Sequence, residues 1–395
     1  MTFFHTLQYP LRNHPLYSLC RRHLSSSASP HHSIYVSQST NPYFNLTYED
    51  WFVPARSTPS LYRSSILRRL FRHKNPSEPL LLIYRDNPCV IIGRNQNPWK
   101  EVNFEALKAR PGVPFIRRRS GGGTVYHDLG NTNFSIHLPR HSFDRHVTAQ
   151  VILRAVRSLG IDASVNDRND ICIGKDKISF LVPLSYYDLF HVSGSAYKIV
   201  NTRAYHHGTM LISTHLNDLG DILRTNKDAM ITKGVASVRS PVRNIQQSNM
   251  NVDHTSFTAA VISEFQKEYD IHEEAIVVEE SEILLSIEHI KKGMAELPTW
   301  EWAYGQTPEF TYTINSTFSW GKASVTIVSK HGFIVSCNLN ITESRLSTED
   351  ADNVFQLAKA IEGQRYGFVD DILEAASRKD EPTRNMSSWL KAIML

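Results

Sequence analysis

The 395-residue sequence predicts an α+β protein in which a large domain is followed by a smaller one. Short apolar runs, such as Leu80–Arg85, have the length of β-strands. Other segments, such as His146–Leu159 and His254–Tyr269, repeat apolar residues at the spacing of one helix face. After about residue 275, short strand-like runs precede two helical runs, which indicates a second, small α+β unit.

The elements of the large domain follow from local signals. An amphipathic helix is expected within Leu46–Arg72. The runs Leu80–Arg85 and Cys89–Gly93 flank Asp86-Asn87-Pro88, a combination that predicts a β-hairpin. Gly160 is expected to end the helix His146–Leu159. The other expected strands are Ser193–Ile199, His206–Ile212, Glu309–Thr313, Ala323–Val328 and Phe333–Leu339; the other expected helices are Asn217–Leu223, His254–Tyr269, Ser347–Glu362 and Phe368–Arg378, with a polar linker at 244–254.

Residues 1–32 are predicted to be a mitochondrial presequence. The chain is rich in Arg and Ser there, and its first acidic residue is Glu49. Proline and polar residues interrupt the apolar core that a secretory signal needs, and the remaining alternative is a disordered cytosolic tail. Most of the formal charge of +4 belongs to this leader, so the body is nearly neutral and no nucleic-acid surface is expected. No apolar run is long enough to predict a membrane span.

The four cysteines, Cys20, Cys89, Cys172 and Cys337, lie far apart in the sequence and form no CxxC or Cys/His pair. A disulfide framework or a metal site is therefore not expected. Cys89 and Cys172 lie within apolar strand-like runs, which predicts that both are small buried residues.

The strongest local signal is the glycine motif Arg117–Asp128 (RRRSGGGTVYHD). Its three glycines allow positive φ angles and let backbone N–H groups converge on an anion, and its three arginines offer cationic forks. The motif is neither a Walker loop nor a dinucleotide fingerprint. The alternative is a flexible turn beside a solvated basic patch.

The longer run Arg117–Ser135 (RRRSGGGTVYHDLGNTNFS) strongly resembles the signature of lipoate–protein ligase A and its eukaryotic lipoyltransferase relatives. Similar segments occur in the same order over most of the chain after the leader: Asn41–Asp50, Val90–Asn103, Arg168–Asp170, Val192–Lys198, Tyr205–Leu211, Lys233–Asn244 and Trp300–Phe310.

The resemblance implies a biotin/lipoyl-ligase-like catalytic domain over residues 33–275 and a small α+β accessory domain over 276–395. It implies that lipoate is activated with ATP and Mg²⁺ to lipoyl-AMP, and that the lipoyl group then passes to a lysine of a lipoyl domain. The implied acceptors are the acyltransferase subunits of 2-oxo acid dehydrogenases and the glycine-cleavage H protein, in the mitochondrial matrix. The implied site residues are Arg118, Gly123, Thr124, Val125, Tyr126 and Lys177 for ATP, and Lys177, Tyr84 and Gly122 for lipoate, with Gly121, His127 and Asp170 in secondary positions.

Alternative roles have to be weighed at five polar residues. His127 and Asp128 could act as an acid–base pair, but a role in holding the loop is favoured, because an ionised carboxylate needs no general base. Asp170 is expected to be a polar pocket residue or a magnesium contact. His206 and His207 should lie on opposite faces of a strand, which argues against a two-histidine metal site.

The sequence departs from the family pattern at residues 178–191. The family has a lysine directly before the V/I-S-G-S-A stretch, where this chain has His191. Removing Ile178–His191, or alternatively Phe180–Ser193, restores that pattern with Lys177 as the lysine. The insertion is either a lid or an unspliced intron in the gene model, and its apolar composition favours the intron.

Three functions are compatible with these motifs. The first is a complete ATP-dependent lipoate–protein ligase. The second is a lipoyltransferase that uses pre-activated or protein-bound lipoyl groups. The third is a lipoyl-domain binder whose site the insertion has disabled.

Overall fold

The computed structural model describes residues 32–52, 78–173, 190–200, 202–238 and 240–395. Nearly all of the predicted presequence, Lys177 and residues 178–189 of the predicted insertion lie outside these ranges. Much of the helix expected over Leu46–Arg72 also lies outside them, and its described part belongs to a helix over Pro42–Trp51. Among the residues that the structure describes, no helix has the length and apolar character needed to cross a membrane.

The described chain combines sixteen strands with twelve α-helices. The strands are β1 (Ile34–Ser37), β2 (Leu80–Tyr84), β3 (Cys89–Ile92), β4 (Phe115–Arg117), β5 (Val125–His127), β6 (Asn131–Pro139), β7 (Ala163–Val165), β8 (Ile171–Ile173), β9 (Phe190–His191), β10 (Ser195–Ile199), β11 (Arg203–Leu211), β12 (Met230–Thr232), β13 (Ile276–Val278), β14 (Phe310–Phe318), β15 (Gly321–Lys330) and β16 (Phe333–Thr342). The helices are α1 (Pro42–Trp51), α2 (Pro98–Glu101), α3 (Phe104–Lys108), α4 (Arg145–Ser158), α5 (Leu216–Ile222), α6 (His254–Tyr269), α7 (Glu282–Leu285), α8 (Glu288–Glu296), α9 (Trp300–Ala303), α10 (Thr348–Ala360), α11 (Asp370–Ala376) and α12 (Glu381–Met394).

The central feature is a six-stranded sheet with the order β10-β11-β6-β2-β1-β13. Strand β1 is parallel to β2 and β13, and the other neighbours are antiparallel. Alternate residues of β2 enter two different cores: Leu81 and Ile83 pack with α4 and α6, whereas Leu82 and Tyr84 pack with α1 and α8. The sheet is therefore the middle layer between two helical layers.

The expected hairpin between Leu80–Arg85 and Cys89–Gly93 is wrong. Both runs form strands, but β2 joins the six-stranded sheet, whereas β3 pairs with β4 and β5 in a separate three-stranded sheet. The turn between them carries Asp86, which is fully buried and accepts hydrogen bonds from Asn45 and Asn133. This polar anchor directs the chain from one sheet to the next instead of reversing it.

Helix ends follow their local signals. Asp144 accepts the N–H of His146 at the start of α4, and Gly160, with φ of +77°, follows its end as predicted. Helix α6 coincides with the predicted His254–Tyr269 and begins with a capping box between Asp253 and Ser256.

The expected domain boundary at residue 275 does not separate the sheets, because each side contributes a strand to the sheet of the other side. Strand β13 lies beyond that boundary but pairs with β1 in the six-stranded sheet. Conversely, β12 lies before it but joins the accessory sheet, whose order is β12-β14-β15-β16. The largest apolar core also combines residues from both sides, including Val90, Trp99 and Tyr126 with Phe310 and Ile327.

Candidate active site

Residues 118–124 of the glycine motif form the loop between β4 and β5, which we call the glycine loop. The Arg118 side chain holds this loop from inside. The Arg118 side chain is buried; its Nε donates to Ser120 Oγ at 3.0 Å, and its Nη2 donates to the carbonyls of Gly121 at 2.6 Å and Gly123 at 2.8 Å. Burial lowers the pKa of Arg118 to about 10, and the nearby Tyr205 opposes this effect. Arg118 is thus a fixed cation directly beneath the loop.

Of the three loop glycines, only Gly122 has a positive φ, at +89°. A Cβ on Gly122 would lie 2.6 Å from Cβ of Ala196 and 2.7 Å from Nη2 of Arg118. A Cβ on Gly121 would meet nothing within 4 Å. The close packing of the loop on β10 therefore requires glycine at position 122 but not at position 121.

A buried chain of polar groups supports the loop from the α1 side of the sheet. His207 Nδ1 lies 3.0 Å from Oε1 of Glu49, and His207 Nε2 lies 3.0 Å from Ser120 Oγ. All three residues are at least 90% buried, and Ser120 also receives the Arg118 hydrogen bond. We call Glu49, His207 and Ser120 the relay. None of its three members was predicted as a site residue, although each lies in a segment that resembles the family.

Tyr84, predicted to contact lipoate, lies beside the relay. Its side chain is buried, and burial together with the nearby Glu49 and Asp86 raises its pKa well above the usual value. Tyr205 behaves in the same way, because burial and Glu49 raise its pKa. Both phenols are therefore neutral hydrogen-bonding groups at physiological pH.

On its other side, the loop contacts the segment that follows β12. The Thr124 N–H donates to Ser237 Oγ at 3.0 Å, and Thr124 Oγ1 donates to Oε1 of Gln96 at 3.0 Å. Gln96 also donates to Ser237 Oγ at 2.9 Å. Gln96 and Ser237 were not predicted as site residues, although both lie in segments that resemble the family. The neighbouring Val125 is half-buried, and the Tyr126 ring packs in the largest apolar core.

The two other arginines of the motif point away from the loop. Arg117 is fully buried and donates to the carbonyls of Arg94, Gln96 and Ala303. Arg119 pairs with Glu296 at 2.5 Å and with Asp50 at 3.4 Å. The prediction that all three arginines of the motif bind one anion is therefore wrong. Arg117 and Arg119 instead connect the loop to the segment over 288–307. Arg119 also lines an open cavity of about 550 Å³ with His289 and Lys292.

Asp170 lies next to the strand on which the loop packs. Its Oδ1 accepts the N–H of Ser195 at 3.0 Å and the Ser195 hydroxyl at 3.1 Å, and Arg168 Nε lies 3.3 Å from Oδ2. Since Ser195 directly precedes Ala196, Asp170 positions the start of β10 beneath Gly122. His191, the last residue of the predicted insertion, forms part of β9 and pairs with Cys172 of β8.

His127 and Asp128 both have local partners. His127 Nδ1 lies 2.8 Å from Oδ2 of Asp86, and Asp128 accepts the N–H groups of Gly130 and His215. Cys89 and Cys172 are fully buried, as predicted. His206 and His207 do lie on opposite faces of β11: His206 contacts Thr148 of α4, whereas His207 faces Glu49 of α1.

The site offers a fixed cation beside a rigid loop, and its described residues include no obvious covalent catalyst. The three described cysteines are buried, and burial raises the pKa of each thiol. The Ser120 hydroxyl is enclosed by Arg118 and His207. The chemistry that fits is electrostatic stabilisation by a fixed cation and a rigid backbone loop.

Comparison with known proteins identifies the family. A model of the lipoyl protein ligase A/B catalytic domain matches residues 41–266. The lipoate-protein ligase A of Psychrobacter cryohalolentis is 36% identical over 292 residues, which are 73% of this chain and 76% of that protein.

Solved structures share the fold. The structure of P. falciparum LipL1 in complex with lipoate matches with a TM-score of 0.55 and 24% identity, over 91% of this chain and 99% of that chain. A bipartite lipoate protein ligase from Thermoplasma acidophilum, described with its E2 lipoyl domain, has a TM-score of 0.51 and 21% identity, over 69% and 96%. Lipoate-protein ligase A bound with ATP has a TM-score of 0.50 and 22% identity, over 69% and 98%.

These matches confirm the predicted α+β, lipoyl-ligase-like fold, and the family match covers more than half of the chain. The protein is a member of the lipoate–protein ligase A family.

Proposed function

We propose that the protein is a lipoate–protein ligase that joins lipoate to ATP as lipoyl-AMP, releases pyrophosphate, and transfers the lipoyl group to a protein lysine. The observation that carries this proposal is the glycine loop, fixed by Arg118 and the relay within the segment that matches the catalytic family. Two relatives in the fold comparison are described with lipoate and with ATP.

The loop suits the adenylation step. When the lipoate carboxylate attacks the α-phosphorus, negative charge builds up on the phosphoryl oxygens, and a preorganised cation with backbone N–H donors lowers that barrier. We assign the cation to Arg118 and the backbone donor of the turn Gly123–Tyr126 to Gly123, because the Thr124 N–H already donates to Ser237 Oγ. Tyr84 and Gly122 lie on the relay side, where the apolar tail of lipoate would enter. Transfer then needs only the neutral amine of the acceptor lysine, because AMP is the leaving group.

Magnesium is part of this proposal only as an ion carried by ATP. Mg²⁺ usually binds through substrate phosphates and one or two carboxylates. Asp170 offers a single carboxylate, whose oxygens already face Ser195 and Arg168. The described residues around Asp170 therefore do not form a magnesium site of their own.

The proposed acceptors are lipoyl domains of 2-oxo acid dehydrogenase acyltransferase subunits and the glycine-cleavage H protein, in the mitochondrial matrix. One fold relative is described together with its E2 lipoyl domain, which supports the first acceptor class. The acid-free, Arg- and Ser-rich leader supports the location. Lipoylation of each purified apo-acceptor, and import of the leader fused to a reporter, test these points separately.

ATP–pyrophosphate exchange that depends on free lipoate tests the central proposal. We expect exchange in the wild type. The exchange rate should fall at least about 100-fold in Gly122→Ala, because a Cβ there forces the loop to move. In the control Gly121→Ala, the free energy of unfolding should stay within about 0.5 kcal/mol of the wild-type value. No exchange together with normal transfer from supplied lipoyl-AMP would identify a lipoyltransferase instead. Failure of both reactions, with retained binding of an apo-lipoyl domain, would indicate the non-catalytic alternative.

The proposed insertion needs its own experiment. Deletion of residues 178–191 restores the family pattern with Lys177 directly before Val192, although it also removes β9, in which His191 pairs with Cys172. If the segment is an artefact of the gene model, the deleted protein should exchange pyrophosphate much faster than the full chain. Equal or lower activity after deletion would support a genuine lid, and sequencing the transcript gives an independent answer.

A further inference from the structure

The structure brings together three possible metal ligands that the spacing of cysteines and histidines did not reveal. Cys89 and His127 are direct partners in the register of β3 and β5, and Asp86 lies three residues before Cys89 in the turn that leads into β3. One ligand atom from each of Asp86, Cys89 and His127 lies within 4.8 Å of those of the other two. Among the described residues, this is the one such group of three.

The group contains a free nitrogen. His127 Nδ1 lies 2.8 Å from Asp86 Oδ2, whereas Nε2 is buried and has no hydrogen-bond partner. The side chain of His127 is only 5% exposed. An unsatisfied buried polar atom of this kind costs about 1–3 kcal/mol.

We propose that Cys89, His127 and Asp86 form a binding site for a zinc-class cation. Thiolate, imidazole and carboxylate together favour zinc over magnesium or calcium, which prefer oxygen ligands. Ideal zinc bond lengths place sulfur and nitrogen ligands about 3.6 Å apart. A sulfur and a nitrogen 4.8 Å apart, the upper limit in this group, would therefore approach each other by about 1.2 Å. Thiolate and carboxylate together balance the charge of a divalent cation.

Binding would couple to the state of the thiol. Burial, together with Asp86 and Asp128, raises the pKa of Cys89 well above its usual value. The metal-free thiol is therefore neutral, and the cation displaces its proton to solvent as the metal–sulfur bond forms.

The location gives the site a structural consequence. Strand β3 leads directly to Gly93, where a Cβ would lie 2.0 Å from the carbonyl oxygen of Gly122. Strand β5 begins directly after the glycine loop. A cation that joins Cys89 to His127 would therefore fasten the two strands against which the loop is held, and would stabilise the folded protein.

Cobalt provides the test, because Co²⁺ replaces zinc and reports on its ligands. The full-length protein would carry Cys20→Ser, which removes the cysteine outside the described residues. We expect one equivalent of Co²⁺ to produce a thiolate-to-cobalt absorption band and visible bands of tetrahedral intensity. One equivalent of Zn²⁺ should abolish these bands and raise the melting temperature.

Variants locate the site. Cys89→Ser and His127→Gln should lose the band, whereas Cys337→Ser and Cys172→Ser, which alter other buried cysteines, should keep it. The absence of a thiolate band in the parent protein overturns the proposal, whether or not the variants fold. Its loss in Cys337→Ser or Cys172→Ser but not in Cys89→Ser also overturns it. Circular dichroism of each variant separates loss of metal from loss of fold.

Discussion

The buried faces of the two larger sheets, the accessory sheet and the central sheet, differ in chemistry. In β15 of the accessory sheet, the buried positions Ala323, Val325 and Ile327 are apolar and alternate with more exposed residues. In β6 of the central sheet all nine residues are buried, and the residues facing α1 include Ser135 and His137. The accessory sheet encloses a mostly apolar core, with Ser329 as the one buried polar residue of β15, whereas the central sheet encloses hydrogen-bonded polar groups on its α1 side.

This difference separates stability from activity. Apolar burial contributes free energy in proportion to area and tolerates exchange of one aliphatic side chain for another. Buried polar groups stabilise little unless every partner is present, and they fix one arrangement. We therefore expect substitutions in the accessory core to reduce stability alone, and substitutions around the glycine loop to reduce activity by more than their effect on stability.

Arg117 should give the largest effect, because it joins the two regions. Arg117→Met leaves the buried carbonyls of Arg94, Gln96 and Ala303 without their donor, and we expect it to lower the free energy of unfolding by about 3–5 kcal/mol. Urea unfolding measures the change. Arg365→Met removes a surface ion pair with Glu301 and should cost at most about 1 kcal/mol. Equal effects of the two variants would contradict the assigned role.

Ile327 tests the apolar side of the comparison. It is fully buried in β15, and Ile327→Ala should cost about 3 kcal/mol through lost burial and the cavity that remains. The pyrophosphate-exchange rate per folded molecule should not change. Thr326→Ala, on the opposite face of the strand, should change stability little. A large loss of exchange in Ile327→Ala at full folding would show that the accessory core also shapes the site.

The sequence predicts the parts whose signal is local. Helix α6, the end of α4 at Gly160 and the glycine loop depend on neighbouring residues, so their patterns were sufficient. The hairpin prediction failed because β2 and β3 are buried on both faces and apolar throughout, and such runs do not specify a pairing partner.

The relay was not predicted for a related reason. Glu49, Ser120 and His207 come from three distant segments, and only folding places them within hydrogen-bond distance. A histidine on a strand gives no indication of what faces it. Likewise, the spacing of Cys89 and His127 gives no sign that β3 and β5 are neighbours.

Glu49→Gln tests whether the buried polar groups beside the glycine loop contribute to activity. The change keeps shape and hydrogen bonding to His207 but removes the buried charge, so we expect a 10- to 100-fold loss in kcat of lipoate-dependent exchange, or about 1.4–2.7 kcal/mol in barrier. Stability should fall by less than that. Glu264→Gln on α6, which weakens an ion pair with Arg154 of α4, should leave exchange unchanged. If Glu49→Gln lowers the free energy of unfolding but leaves the exchange rate unchanged, the relay has only a structural role.

The smallest expected effect concerns pH. Burial lowers the pKa of His206 to about 3, whereas an unfolded histidine has a pKa of about 6.5. Below pH 6.5 the His206 imidazole is protonated in the unfolded state but stays neutral in the folded state. The free energy of unfolding therefore has its full value above pH 6.5 and falls as the pH decreases toward 3. Between pH 7 and 5 this loss should amount to about 1–2 kcal/mol.

A phenylalanine substitution isolates this contribution. His206→Phe keeps an aromatic ring between the sheet and α4, and the Thr148 hydroxyl retains the carbonyls of Asp144 and Arg145 as acceptors. The stability of this variant should depend less on pH by that same amount. His272→Gln, at a side chain that is 86% exposed, should leave the pH profile unchanged. A parallel profile in His206→Phe would mean that another group, such as the half-buried His254, whose pKa is about 4, causes the acid sensitivity. The acid sensitivity would then arise at the start of β6, where Thr132 contacts His254.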